Sequence, residues 1–338
     1  MAAGGVDGVE DLGEPVGALL EEGEVVVSSE GRLRHGPTVA AQVSVALVII
    51  RHMSSRTGAD GPQRVDPIDR AHLTGVSRPS PPIHRYAPSE HLVDLVERYW
   101  VPVWSLSEPS TQSTLQHPVC LVVVSNTYAR FYGVTRGRSS VTLEGDGWAV
   151  GTMLTPAAGR LLLGRSVAEV TDTWVDLRDL QANTTLADDV RAEMQRDPHA
   201  PAAHLAAIAH VESWVATHLP VDTAGHLVNR LVARLGEQPE ITRVDELARE
   251  AGLSERSLQR LVEQRIGLSP KWLLQRRRLH DAVEALKAGR GTLAEMAVAL
   301  GYADQAHFTH DFRAVTGMTP GDYLKDQPRD QPLRPPHG

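Results

Sequence analysis

Cysteine is nearly absent: Cys120 stands alone in 338 residues. A disulfide framework is therefore excluded, as is a zinc site built on several thiolates. A lone thiol fits a reducing compartment, and the expected location is cytoplasmic. Aromatic residues are scarce, at 4% of the chain. The net charge is −8 at pH 7, which excludes a polybasic coat for nucleic acid or membrane as a whole-chain property but leaves room for a local basic patch. The longest apolar run, Val39–Ile50, has 12 residues, short of the roughly 20 that span a bilayer. No basic n-region opens the chain, where the residues are mostly acidic and Gly-rich, so the run is not read as a secretory signal, and no membrane partner is expected.

Chemistry-bearing motifs are also missing. "GRLLLGRS" (Gly159–Ser166) lacks the Lys-Ser/Thr of a phosphate loop. His117 lies close to Cys120, but a small residue in a buried strand after a turn histidine accounts for the pair. No Ser-His-Asp order or paired carboxylates stand out. No catalytic residue, cofactor or metal site is assigned, and the chain is not read as an enzyme.

The expected architecture is α+β. Residues 1–82 are rich in Gly, Pro, Ser and charge, and are expected to be disordered. An alternative makes Met53 the native start and residues 1–52 an extension read through from upstream. Residues 83–182 predict a small β-rich domain, a barrel or sandwich of short strands, suited to a sensor or dimerisation role. Its first element is predicted as a helix over Ser89–Trp100, from apolar residues at Leu92, Val93, Leu95, Val96 and Tyr99 behind a capping Ser89. "VCLVVVS" (Val119–Ser125) reads as a buried strand, paired in a hairpin with "YARFYG" after an Asn-Thr turn. "SSVTLEGDGWAVGTML" predicts two strands around Gly145-Asp146-Gly147. "VTDTWVDL" reads as a strand or the entry to a helix. Residues 183–236 predict a helical linker with striped helices over Ala203–Leu219 and Thr223–Gly236. Their histidines, His204, His210, His218 and His226, are read as surface or core residues. Residues 237–325 predict an all-α domain, and 326–338 a disordered tail.

That last domain contains an internal repeat. "LAREAGLSERSLQRLVEQRIGLSP" (Leu247–Pro270) aligns with "MAVALGYADQAHFTHDFRAVTGMTP" (Met296–Pro320): Gly252 matches Gly301, Leu258 matches Phe308, Val262 matches Phe312 and Pro270 matches Pro320. Each copy reads as helix, glycine turn, helix. Gly252 and Gly301 end the first helices, and Ser254 and Asp304 cap the second. Thr292 with Glu295 forms a capping box. Between the copies, "SPKWLLQRRRLHDAVEALKAG" (Ser269–Gly289) predicts one long helix with Pro270 in its first turn. Two helix-turn-helix units on a shared helix could enter successive major grooves about 34 Å apart. Ser254–Arg290 holds nine Lys or Arg against four Asp or Glu, a local balance of +5, which suits phosphate neutralisation.

The segment from about Ile241 to Lys325 resembles the double helix-turn-helix domain of the AraC/XylS family of bacterial transcription regulators, through "LAREAGLSERSLQRLV" and "EMAVALGYADQAHFTHDFRAVTGMTPGDY". The resemblance implies base reading by Arg256, Gln259 and Arg260 in the first unit, and by Gln305, Ala306, Thr309 and His310 in the second. Phosphate contacts then fall to Ser254, Lys271, Arg276, Arg277 and Arg313. The second head departs from the family's pattern: His310 stands where arginine is common, and Asp311 puts an acid beside the groove, which predicts a weaker or pH-sensitive reading head. His307 and His310 share a helix face, but no third or fourth ligand accompanies them. Less closely, about 81–180 is similar to the N-terminal domain of a subset of these regulators, through "HRYAPSEHLVDLVERYW" and "GTMLTPAAGRLLLGRSVAEVTD". The implied function is a sequence-specific transcription regulator. Its partners would be a double-stranded operator, a small-molecule effector at the N-terminal domain, RNA polymerase where it activates, and a second copy as a homodimer. The competing reading is a ligand-binding or enzymatic N-terminal domain whose degenerate helix-turn-helix contacts other partners.

Overall fold

The structure, a computed structural model, describes Leu73, 81–180 and 184–326. The expectations for 1–82 and for the tail after Asp326 lie almost wholly outside these residues. No helix among the described residues is long and apolar enough to cross a membrane.

The fold is α+β. Strands β1 (Ile83–Tyr86), β2 (Val96–Thr114), β3 (Leu121–Ser125), β4 (Ala129–Tyr132), β5 (Ser139–Leu154) and β6 (Trp174–Asp176) form one antiparallel sheet of order β1-β2-β5-β3-β4-β6. It is a single six-stranded sheet, not the expected barrel or sandwich. The β3–β4 hairpin is present, with Val124 opposite Ala129. "VTDTWVDL" supplies both predicted elements in turn, β6 and then helix α2 (Leu177–Leu180).

Two local expectations fail. The helix over Ser89–Trp100 is replaced by a single 3-10 turn at Glu90–Leu92 followed by β2. Spacings of three and four fit its first apolar residues, but Tyr99, Val101 and Val103 continue with a period of two, all buried. That pattern matches a strand paired on both sides, and β1 and β5 supply the partners. Ser89 is no helix cap; its N–H and hydroxyl donate to Glu212 at 2.8 and 2.5 Å. The second failure is the turn at Gly145-Asp146-Gly147. Ser139–Leu154 is one continuous strand. Gly145, at φ +54°, sits opposite Leu106 where the register of β2 shifts before Ser110. Its left-handed backbone serves a bulge, not a chain reversal.

The helices are α1 (Ala158–Leu163), α2, α3 (Leu186–Met194), α4 (Pro201–Ala216), α5 (Thr223–Glu237), α6 (Val244–Glu250), α7 (Glu255–Ile266), α8 (Pro270–Lys287), α9 (Leu293–Ala299), α10 (Gln305–Thr316) and α11 (Pro320–Asp326). One apolar core runs from the sheet (Tyr99, Val122, Phe131) through α4 (Ala207, Val211) into α6 and α7 (Leu247, Leu258, Val262). A second gathers Leu279, Val283, Met296, Phe308, Phe312 and Tyr323, and takes in Leu73 and Leu115 from outside the helical region. The β-rich and helical parts thus share buried surface.

Candidate nucleic-acid interface

The first unit is α6, a turn and α7. Glu246 accepts from the backbone N–H of Thr242 and Arg243 at 2.9 and 3.0 Å, satisfying orphan donors at the start of α6. Gly252, at φ +66°, turns the chain, and Ser254 Oγ accepts from Ser257 N–H at 3.2 Å to start α7. Leu258, Val262 and Ile266 face the core, which leaves Arg256, Gln259 and Arg260 exposed on the opposite side.

The second unit repeats this plan. Thr292 and Glu295 bond reciprocally at the start of α9, at 2.7 and 3.3 Å. Gly301, at φ +74°, makes the turn, and Asp304 accepts from His307 N–H at 2.7 Å to begin α10. Phe308 and Phe312 are fully buried. Gln305, Ala306 and His310 are exposed and Thr309 is half-buried. The shared helix α8 starts at Ser269, whose Oγ accepts from Trp272 N–H at 3.2 Å.

Asp311 does not stand beside a groove as expected. It accepts from Tyr302 Oη at 2.8 Å and from the side-chain amide of Gln275 on α8. Burial and the bond to Asp311 together raise the Tyr302 pKa, so the phenol stays a donor. The acid therefore ties α10 to the shared helix, and of the pair His310-Asp311 only His310 is exposed.

The basic patch is smaller than its composition. Arg265 on α7 is buried and paired with Asp222, the N-cap of α5. Arg278 donates to Thr242 O at 2.9 Å. Two of the phosphate candidates are corrected here. Arg277 donates to Ile241 O at 3.2 Å and to Asp281 at 3.3 Å. Arg276 is 2% exposed, and its guanidinium donates to carbonyls of the β-rich part: Gln116 O at 3.3 Å, Thr135 O at 3.1 Å, Arg136 O at 2.5 Å and Gly137 O at 3.2 Å. Burial pushes its pKa down to about 10, partly offset by the charge of Asp172. Neither side chain is presented to a phosphate. Ser254, Lys271 and Arg313 are exposed. The sequence held a sign of Arg276's role: it falls between Leu273 and Val283 at helical spacing, on the inward stripe of α8.

Two helix-turn-helix units mounted on one helix, each with its second helix exposed on the side away from the core, are the arrangement of a helix-turn-helix DNA-binding domain. Residues 247–326 match the family described as "Helix-turn-helix domain", and 84–176 match a domain of unknown function, DUF6597. Among curated relatives, a protein of Streptomyces lividans described as an AraC-like transcription regulator is 32% identical over 136 residues, 40% of this chain and 40% of its own length. The HTH-type transcriptional regulator MtrA of Neisseria gonorrhoeae is 27% identical over 103 residues, 30% of this chain and 33% of its own. The chain thus spans two-fifths or less of the relatives named here. Among solved structures, the C-terminal domain of AraT from Geobacillus stearothermophilus is 22% identical, with a TM-score of 0.31 over 34% of this chain and 97% of that one. ToxT of Vibrio cholerae O395 is 12% identical, with a TM-score of 0.35 over 68% and 97%. Residues 247–326 are a helix-turn-helix domain, and the relatives that share it include AraC-like regulators.

Proposed function

We propose that the protein is a sequence-specific DNA-binding transcription regulator that inserts α7 and α10 into successive major grooves. The observation that carries this reading is the pair of outward helix faces, one in each repeat: Arg256, Gln259 and Arg260 on α7, and Gln305, Ala306, the half-buried Thr309 and His310 on α10. Arginine suits guanine O6 and N7, and glutamine suits adenine N6 and N7. Ser254, Lys271 and Arg313 contact phosphates. The protein acts in the cytoplasm, as a homodimer, without catalysing a reaction, and contacts RNA polymerase where it activates. A small-molecule effector occupies the groove of about 1090 Å³ between the β1–β2 edge and helices α4 and α5, lined by Tyr86, Glu97, Arg98, Ile208, Glu212 and Arg230.

The test is selection of duplexes from a random library by the full chain, followed by titration of the selected and of random DNA. Arg260→Ala is expected to cost about 1–3 kcal/mol on the selected site and to relax one base position. His310→Ala should cost less. Equal losses on selected and random DNA would refute base reading by Arg260.

A further inference from the structure

The buried guanidinium of Arg276 is costly to desolvate, and no carboxylate among the described residues forms an ion pair with it. Its partners are backbone carbonyls in two connections of the β-rich part, before β3 and between β4 and β5. Trp272, one turn earlier on α8, donates Nε1–H to Arg136 O at 3.2 Å and carries the Arg276 guanidinium 4.5 Å above its ring. The loop that holds both is itself pinned. Arg136 N–H donates to Asp172 at 2.7 Å, and the two side chains form an ion pair. Asp172 has φ +62°, unusual for a residue with a Cβ. The preceding residue reaches the first reading helix: Thr171 Oγ1 donates at 2.9 Å to the carbonyl of Gly267, the left-handed cap of α7.

One corner of the sensor sheet therefore touches both parts of the DNA-binding domain. Thr171 holds the end of α7, and Asp172, through the 133–137 loop, holds the start of α8. The corner leads into β6 and the loop leaves β4, and these strands pair with each other at the sheet edge, Tyr132 opposite Trp174. A change at that edge would move both contacts at once.

We propose that this corner is a clamp that sets the first reading helix against the shared helix, with Arg276 and Thr171 as positioning residues through which the β-rich domain controls the spacing of base pairs that the two heads accept. The proposal rests on the DNA-binding reading above. If the clamp holds, the wild-type chain should discriminate by tenfold or more between its selected duplex and the same duplex with one base pair inserted between the two half-elements, about 1.4 kcal/mol. Arg276→Met and Thr171→Val should each reduce that discrimination to less than about threefold while affinity for a single half-element stays unchanged. Arg276→Lys, which keeps the charge but not the planar fork, should fall between. Amide hydrogen exchange on the same DNA-free proteins reads the clamp independently: Arg276→Met should deprotect the 133–137 loop. Thr171→Val is nearly isosteric and keeps the test alive if Arg276→Met does not fold.

Wild-type spacing discrimination in folded Thr171→Val and Arg276→Met would overturn the proposal. So would unchanged protection of 133–137 in Arg276→Met. If the wild-type chain selects no sequence, the DNA reading fails, and the exchange experiment still decides whether the corner grips the helical domain.

Discussion

Tyr302 and Asp311 form a polar pair beneath α10, so their value lies in what is left behind when one is altered. Tyr302→Phe removes a 2.8 Å bond to a carboxylate that keeps Gln275 as its other partner. We expect a loss of about 1 kcal/mol in denaturant unfolding, and a larger loss would mean that Gln275 cannot hold Asp311 alone. Gly267 is more exacting. Its φ is +89°, and a Cβ there would lie 2.5 Å from Thr171 Oγ1 and 3.0 Å from the carbonyl oxygen of Val167. The hydroxyl can rotate away but the backbone cannot, so Gly267→Ala should destabilise by roughly 1–3 kcal/mol, measured by thermal unfolding. Cys120 is 2% exposed, and burial raises its thiol pKa to about 12. Alkylation at mildly alkaline pH should therefore proceed only as the protein unfolds; labelling of the native chain at the rate of a free thiol would contradict this.

Among the elements, those fixed by local chemistry were the readable ones. Ser254, Ser269, Thr292 and Asp304 all accept the backbone bonds expected of caps, because capping depends on residues within one turn. Thr292→Ala should accordingly cost about 1 kcal/mol in unfolding, mostly through fraying of α9. The sheet was harder. Val96 and Tyr99 fit a helix as well as a strand until β1 and β5 are known to lie on either side, and those partners are distant in sequence. Gly145 looked like a hairpin turn because the bulge it serves is made by the opposite strand. In the two repeats, the outward residues of α7 and α10 followed from the pattern, since the inward phenylalanines and leucines fix the rotation of each helix. The inward arginines of α7 and α8 did not follow: charge counting treats Arg265, Arg276, Arg277 and Arg278 as a phosphate grip, and only the tertiary structure supplies the carbonyls and Asp222 that draw them inward.

At the scale of the whole molecule, the β-rich sheet is fastened to the linker helices through a histidine. His204 on α4 is fully buried. Its Nε2 lies 2.7 Å from Pro198 O, which can only accept, so this nitrogen carries the proton. Nδ1 then accepts from Tyr86 Oη of the edge strand β1 at 2.6 Å. Burial is the main cause that lowers the His204 pKa, against the opposing pull of Pro198 O; His84 and His199 add to the lowering and Asp197 works against it. Protonation would also turn Nδ1 into a donor facing Tyr86 and break the present arrangement. The folded pKa thus lies below the ordinary value of about 6.5. Neutral His204 contributes its full stability above that pH, and the contribution is lost as pH falls below it. Urea unfolding of the wild type should therefore weaken between about pH 7 and pH 5.5. His204→Gln, which keeps a donor and an acceptor but does not titrate, should show a shallower slope over the same interval even though it starts less stable. Comparing the two proteins removes the contribution of the other histidines, and parallel slopes would mean that the junction between sheet and linker is indifferent to the charge on His204.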